Sequence, residues 1–150
     1  MKKIGISADH GGYAMKEFIA GELRKNGYSV EDFGNDLYDK NDDFPDFVVP
    51  MARALSRGDL YRGIAVCGSG VGACIATNKI PGVRACLISE HFSAHQGVED
   101  DNMNLLCLGG WITGNKTSWE IVTTFLAATY KGEERHRRRL LKIEQLEKGA

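Results

Sequence analysis

Five short apolar runs alternate with helix-patterned stretches along this chain, and no other feature restricts its fold so tightly. The runs are "KKIGISAD", "YSVEDFG", "RGIAVCG", "VRACLIS" and "NLLCLGG". They are continuous rather than alternating in hydrophobicity, as expected of strands covered on both faces. Between them lie stretches of helical periodicity: "YAMKEFIAGELRKNG" with Gly27 as a stop signal, residues 46–57 with an irregular start at Pro50, "VGACIATNKI", "EHFSAHQGVED" and "SWEIVTTFLAATY". A last helix, "EERHRRRLLKIEQLEK", closes the chain. The alternation predicts an α/β fold: a Rossmann-like three-layer α/β/α sandwich with a five-stranded parallel sheet and a C-terminal helix. The 150 residues suit a single domain over 1–150.

Right-handed crossovers place every strand's C-terminal end on one edge of such a sheet, and ligands bind at that edge. It should gather Asp9–His10 after the first strand, Cys67–Gly70 after the third, Ser89–Glu90 after the fourth and Gly109–Gly110 after the fifth.

Composition narrows the function classes. A formal net charge of −1 gives no general pull toward nucleic acid or anionic membrane. No segment approaches the roughly 18 unbroken apolar residues of a membrane span. The opening "MKKIGISADHGG" reads as a strand, not a secretory signal, so a cytoplasmic location with reduced cysteines is expected. Cys74, Cys86 and Cys107 read as small buried apolar residues, and the cysteine spacing fits no common zinc site. Charge is nonetheless clustered. Residues 31–46 hold seven acids against one lysine, and residues 135–139 read "RHRRR" without the interleaved aromatics of a nucleic-acid platform.

Four stretches carry chemistry. In "AVCGSGVGACIATNK", Cys67 ends the third strand at the mouth of a glycine turn that leads into a helix. Amides at a helix start attract anions and favour thiolates, and glycines let a ligand approach the backbone. A glycine turn over an inert buried thiol is an equally open reading. The stretch is neither a Walker loop nor a dinucleotide fingerprint. In "ADHGG", Asp9 suits hydroxyl recognition or a helix cap, and His10 suits phosphate binding or proton transfer. Arg135 and Arg139, four apart, share a helix face that is either a phosphate clamp or a solvated basic face. Asp100 and Asp101 are acid/base candidates or a solvated helix end. His91 and His95 are also four apart, but no third ligand is evident, so no metal is expected.

Several segments in order resemble the type B ribose-5-phosphate isomerases, within the superfamily that includes the subunits of galactose-6-phosphate isomerase. They are "ISADHGG", "DDFPDF", "VCGSGVGACIATNKIPGVRA", "DDNMNLLCLGG" and "YKGEERHRRRLLKI", and they span nearly the whole chain. The resemblance implies a metal- and cofactor-independent aldose–ketose isomerase acting through an enediolate. It implies Cys67 as the base that moves a proton between C1 and C2, with Ser69 assisting ring opening. Asp9 and His10 would contact hydroxyls and phosphate, and Gly68, Gly70, Val71 and Gly72 would line the substrate. Arg135 and Arg139 would hold the phosphate. It also implies dimers, often paired into tetramers, with active sites shared between subunits.

Four positions depart from that family pattern. Asp100 stands where many members carry the ring-opening histidine, with Asp101 where asparagine follows. Trp111 stands in place of a phosphate-binding arginine, and Phe44 in place of a tyrosine. Ribose 5-phosphate is the leading substrate. The alternatives are a hexose 6-phosphate or tetrose phosphate, or a sugar-phosphate binder without turnover. A thiol redox role for Cys67 and Cys74 fits poorly, because the two are seven residues apart rather than three.

Overall fold

The structure is a computed structural model that describes residues 2–149. Its strands are β1 (Lys3–Ala8), β2 (Ser29–Asp32), β3 (Arg62–Cys67), β4 (Ala85–Leu87) and β5 (Leu105–Gly109), and its helices are α1 (Tyr13–Lys25), α2 (Pro45–Ser56), α3 (Val71–Thr77), α4 (His91–Asp101), α5 (Asn115–Ala127) and α6 (Glu134–Glu147). All pairings are parallel, in the order β2-β1-β3-β5-β4. This is the three-layer α/β sandwich the alternation predicts.

The period-2 geometry of a strand divides the core in two. Ile4, Ile6, Ile64, Val66, Leu106 and Leu108 face one way, onto α1, α4 and α5. Ala65, Cys67, Leu105 and Cys107 face the other way, onto α2 and α3. Each fully buried Ile or Leu contributes about 1.5–3 kcal/mol of transfer free energy. The three central strands are therefore the stable part of the sheet. β2 is only half-buried, and β4 shrinks to three residues with two of them exposed, because each is an edge with one neighbour. Here the sequence pattern overstates both strand length and coverage.

Two further expectations differ in detail. α2 runs unbroken through Pro50, an exposed position that leaves only the Asp46 carbonyl without its usual helical donor. Of the three cysteines read as buried apolar residues, only Cys107 is. Cys74 is half-buried and Cys86 is exposed on the edge strand.

One buried cation ties the second strand to the rest. Lys16 of α1 has no solvent exposure, and its Nζ donates to Asp32 Oδ2 at 2.8 Å and to the Asn35 carbonyl at 2.7 Å, with Glu17 at 3.0 Å. Removing one partner of a buried ion pair leaves the other charge uncompensated, typically costing about 3–5 kcal/mol. Lys16→Met should therefore lower the melting temperature by roughly 10 °C, read by circular dichroism. An unchanged melting curve would refute the anchor.

Candidate active site

The strand order decides where a site can form. From β1 the chain goes outward to β2, then crosses back to β3 on the other side of β1. The crevice between the ends of β1 and β3 is thus a topological switch point, the usual ligand position in open parallel sheets. Asp9–His10 leave β1 there, and Cys67–Gly70 leave β3.

Close packing, not loop composition alone, explains the glycines at this rim. A Cβ on Gly12 would overlap the Val66 carbonyl, so the turn after β1 can lie against β3 only with glycine there. Gly70 sits at φ +85°, a conformation that L side chains avoid, and its amide donates to Cys67 Sγ at 3.1 Å. Gly110 and Trp111 donate their amides to the carbonyls of Cys67 and Gly68 at 2.8 and 2.9 Å, locking the end of β5 to the thiol's loop.

Cys67 is 5% exposed and faces the α2–α3 side. α3 has only seven residues, so what reaches the sulfur is the single Gly70 amide rather than a long helix dipole. Ser69 is exposed and accepts a hydrogen bond from Val71. Phe44 covers Gly72, with its ring within 3 Å of where a Cβ would stand. Trp111, 73% exposed, lies with its ring edge against Gly68 and near Gly11, and forms an apolar wall between the two loops. A cleft of about 270 Å³ opens beside Ser69, between Leu87, Gly109 and Ile112.

The charged half of the rim belongs to Asp9 and His10. The Asp9 carboxylate accepts the Gly11 amide at 3.0 Å in a local turn and does not cap α1, whose N-cap has no side-chain bond. Burial holds its carboxyl above the usual aspartate range, partly offset by His10. His10 Nδ1 lies 2.7 Å from Asp42 Oδ1, and that hydrogen bond raises the imidazole's affinity for its proton. Asp9, His10 and Asp42 place ligand-type atoms within 4.8 Å of one another, but 2.7 Å is a hydrogen-bond distance, with a proton between nitrogen and oxygen. In the sequence Asp42 is one acid among seven in residues 31–46, marked only by its place just before "DFPDF".

Four of the sequence candidates do not reach this rim within one chain. α4 runs back against the strand direction, so Asp100 and Asp101 lie before the start of β5, whereas Cys67 is in register with its last residue, Gly109. Four residues of strand separate the two levels by about 13 Å. α6 stays at that lower rim: His136 contacts Asp100 at 3.4 Å near its start, and Glu147 accepts from the Gly82 amide at its end. Arg135 adjoins His136, and Arg139 lies one turn further along the same helix. A cleft of about 640 Å³, bordered by Arg84, Asp101, Ile143 and Glu147, opens on the same side.

At this lower rim the Asp100 carboxyl is held below the usual aspartate range by the Gln96 amide, with His136, Lys131 and Arg135 adding to the effect. That is the reverse of the upward shift a carboxylic-acid proton donor needs. His91 and His95 turn to different acids, Glu120 and Glu99, each at 3.1 Å. The Cys74 thiol is pulled down to about 6, chiefly by its interaction with the Cys107 thiol.

Four matches to known proteins bear on this arrangement. Residues 4–143 match the family model described as Ribose/Galactose Isomerase. The chain superposes with a TM-score of 0.94 on ribose-5-phosphate isomerase B of Clostridium thermocellum, at 42% identity over 98% of each chain. A TM-score of 0.92 relates it to ribose-5-phosphate isomerase B of Mycoplasma genitalium, solved with bound ribulose 5-phosphate, at 38% identity over 99% of this chain and 97% of that one. The D-erythrulose-4-phosphate isomerase of Pectobacterium atrosepticum is 33% identical over 132 residues, 88% of this chain and 87% of its own.

Proposed function

The chain belongs to the ribose/galactose isomerase family, and we propose that it interconverts ribose 5-phosphate and ribulose 5-phosphate with Cys67 as the base. It is an aldose–ketose isomerase of a sugar phosphate. The observation that carries the assignment of roles is the meeting of the Cys67–Gly70 and Asp9–His10 turns at the switch point of the sheet.

In the open-chain aldose, Cys67 takes the proton from C2. The freed electron pair forms a C1=C2 double bond, and O1 becomes an oxyanion beside the glycine amides. The O2 proton then passes to O1, C2 becomes the carbonyl, and the Cys67 thiol returns its proton to C1. Ring opening comes first. An ionised Asp100 suits removal of the O1 proton, and Ser69 suits donation to the ring oxygen. Asp101 lies beside Asp100 and contacts the sugar. Asp9 accepts from sugar hydroxyls, Gly68, Gly70, Val71 and Gly72 line the substrate, and His10, Arg135 and Arg139 hold the phosphate.

These roles require a second copy, whose lower rim completes the upper rim of the first. Apolar side chains support this reading: Leu141, Ile143 and Leu146 are exposed on α6, and Val71, Leu87 and Ile112 flank the Ser69 cleft. A homodimer with two shared sites satisfies both patches, and a tetramer remains a pairing of such dimers. One domain spanning 1–150 and a cytoplasmic location accompany the reading; no described helix is long and apolar enough to cross a membrane.

A shorter sugar is the second reading, because the Trp111 indole narrows the mouth between the two loops. An assay of three- to six-carbon aldose phosphates in deuterated water separates the cases. Ribose 5-phosphate should show the highest kcat/KM, with deuterium entering the carbon-bound position. Preference for a four- or six-carbon phosphate would reassign the substrate, and binding without exchange would make the protein a binder.

A further inference from the structure

The acidic loop after β2 contributes a residue that the family resemblance did not single out. Asp42 is almost fully enclosed, with its side chain 8% exposed, and accepts three hydrogen bonds. His10 donates to Oδ1 twice, through its backbone amide at 3.0 Å and through Nδ1 at 2.7 Å. Asn35 Nδ2 donates to Oδ2 at 3.1 Å. Asn35 is itself 2% exposed, its amide donates to the Ala8 carbonyl at 2.9 Å, and its carbonyl receives the buried Lys16 ammonium. Asp42 is therefore held by the end of β1 on one side and by the Lys16 anchor on the other. It cannot swing away from the imidazole.

The chemistry of the dyad follows from this geometry. With Nδ1 committed to Asp42, Nε2 is the ring nitrogen left to donate outward. A phosphate beside Asp9 and Asp42 would face two carboxylates, and like charge at that range is repulsive. A protonated ring neutralises one carboxylate and presents an N–H to the phosphate. The groups facing the ring are Asp9 on its own turn, Asp42 and Asp39 from the loop, and the Tyr38 ring edge-on at 6.3 Å. Lys16, the cation of the neighbouring helix, is committed to Asp32, Glu17 and Asn35.

We infer that Asp42 is a positioning residue that keeps His10 in its imidazolium form, with Nε2–H aimed at the substrate phosphate. This rests on the sugar-phosphate reading of the site. The ionisation sign is fixed: a histidine paired with a carboxylate holds its proton to higher pH, so phosphate affinity persists further into the neutral range and is lost as pH rises through the raised value.

Two measurements on the full-length enzyme test it. Asp42→Asn keeps the shape and an oxygen acceptor for His10 but removes the charge, and it loses the acceptor for Asn35 Nδ2. KM for ribose 5-phosphate should rise about five- to tenfold at pH 7.5, approach the wild-type value near pH 5.5, and leave kcat within about twofold. A KM ratio that is the same at both pH values overturns the proposal, because a merely structural lesion has no reason to disappear on acidification. Histidine NMR of the substrate-free wild type, with the resonance assigned by its loss in His10→Gln, is the second readout. It should show His10 titrating above an ordinary imidazole, and a midpoint at or below the ordinary value overturns the proposal even where Asp42→Asn fails to fold. Failure of the sugar-phosphate reading looks different: the wild type itself would not turn over any aldose phosphate, while the NMR midpoint would stay raised.

Discussion

Cys67→Ala should lower kcat for ribose 5-phosphate by about two to four orders of magnitude, the range that a positioned general base supplies. KM should change little, because a base that acts on carbon-bound hydrogen contributes little to ground-state binding. The fold should survive: the side chain is small, its neighbours Ala65 and Ala73 are small, and losing one sulfur from this layer costs about 1 kcal/mol. Cys67→Ser is the sharper probe. It retains an acceptor for the Gly70 amide yet replaces the thiol by a far weaker acid, so it should be nearly as inactive as alanine. The checks are initial rates, deuterium exchange at the sugar carbon and a thermal melt. A Cys67→Ala enzyme within tenfold of wild-type kcat would remove the sulfur from proton transfer. Attention would then turn to the Asp9 carboxyl, which burial already holds above its usual range.

Much of this was legible in the chain because its signals are local. The strand–helix alternation, the apolar β3 run into "CGSG" and the Asp-His turn after β1 each depend on neighbours in sequence, and the parallel topology then forces their meeting. Less legible were features that depend on pairing across the fold. Nothing in "YSVEDFG" or "VRACLIS" says that these strands lie at the edges, so both were read too long. Nothing local in the first helix marks Lys16 as buried; it sits on Asp32 because β2 brings that carboxylate over α1. Asp42 was hidden in a run of acids whose one functional member is selected only by the position of His10. The direction of α4, and with it the separation of Asp100 from Cys67, follows from topology rather than from any motif.

That separation yields a second large effect, expected when two variants impaired at low substrate are mixed. Arg135 and Arg139 lie on a helix whose two ends are fastened near Asp100 and Gly82, on the rim opposite Cys67. Arg139→Ala should therefore raise KM for the phosphorylated substrate by about two orders of magnitude, the loss expected when a charge-assisted bidentate contact to phosphate is removed, with the melting curve unchanged. Cys67→Ala should be inactive for its own reason. In a shared-site dimer, a hybrid of the two variants has one site with both lesions and one with neither, since the intact cysteine of one subunit meets the intact arginine of the other. Random reassembly of equal amounts makes half the dimers hybrids, so about a quarter of all sites should be wild type. Activity at low substrate should recover to about that fraction after joint refolding, and not after simple mixing of dimers that do not exchange. A site built within one chain gives no recovery at all, because every chain then carries its own lesion.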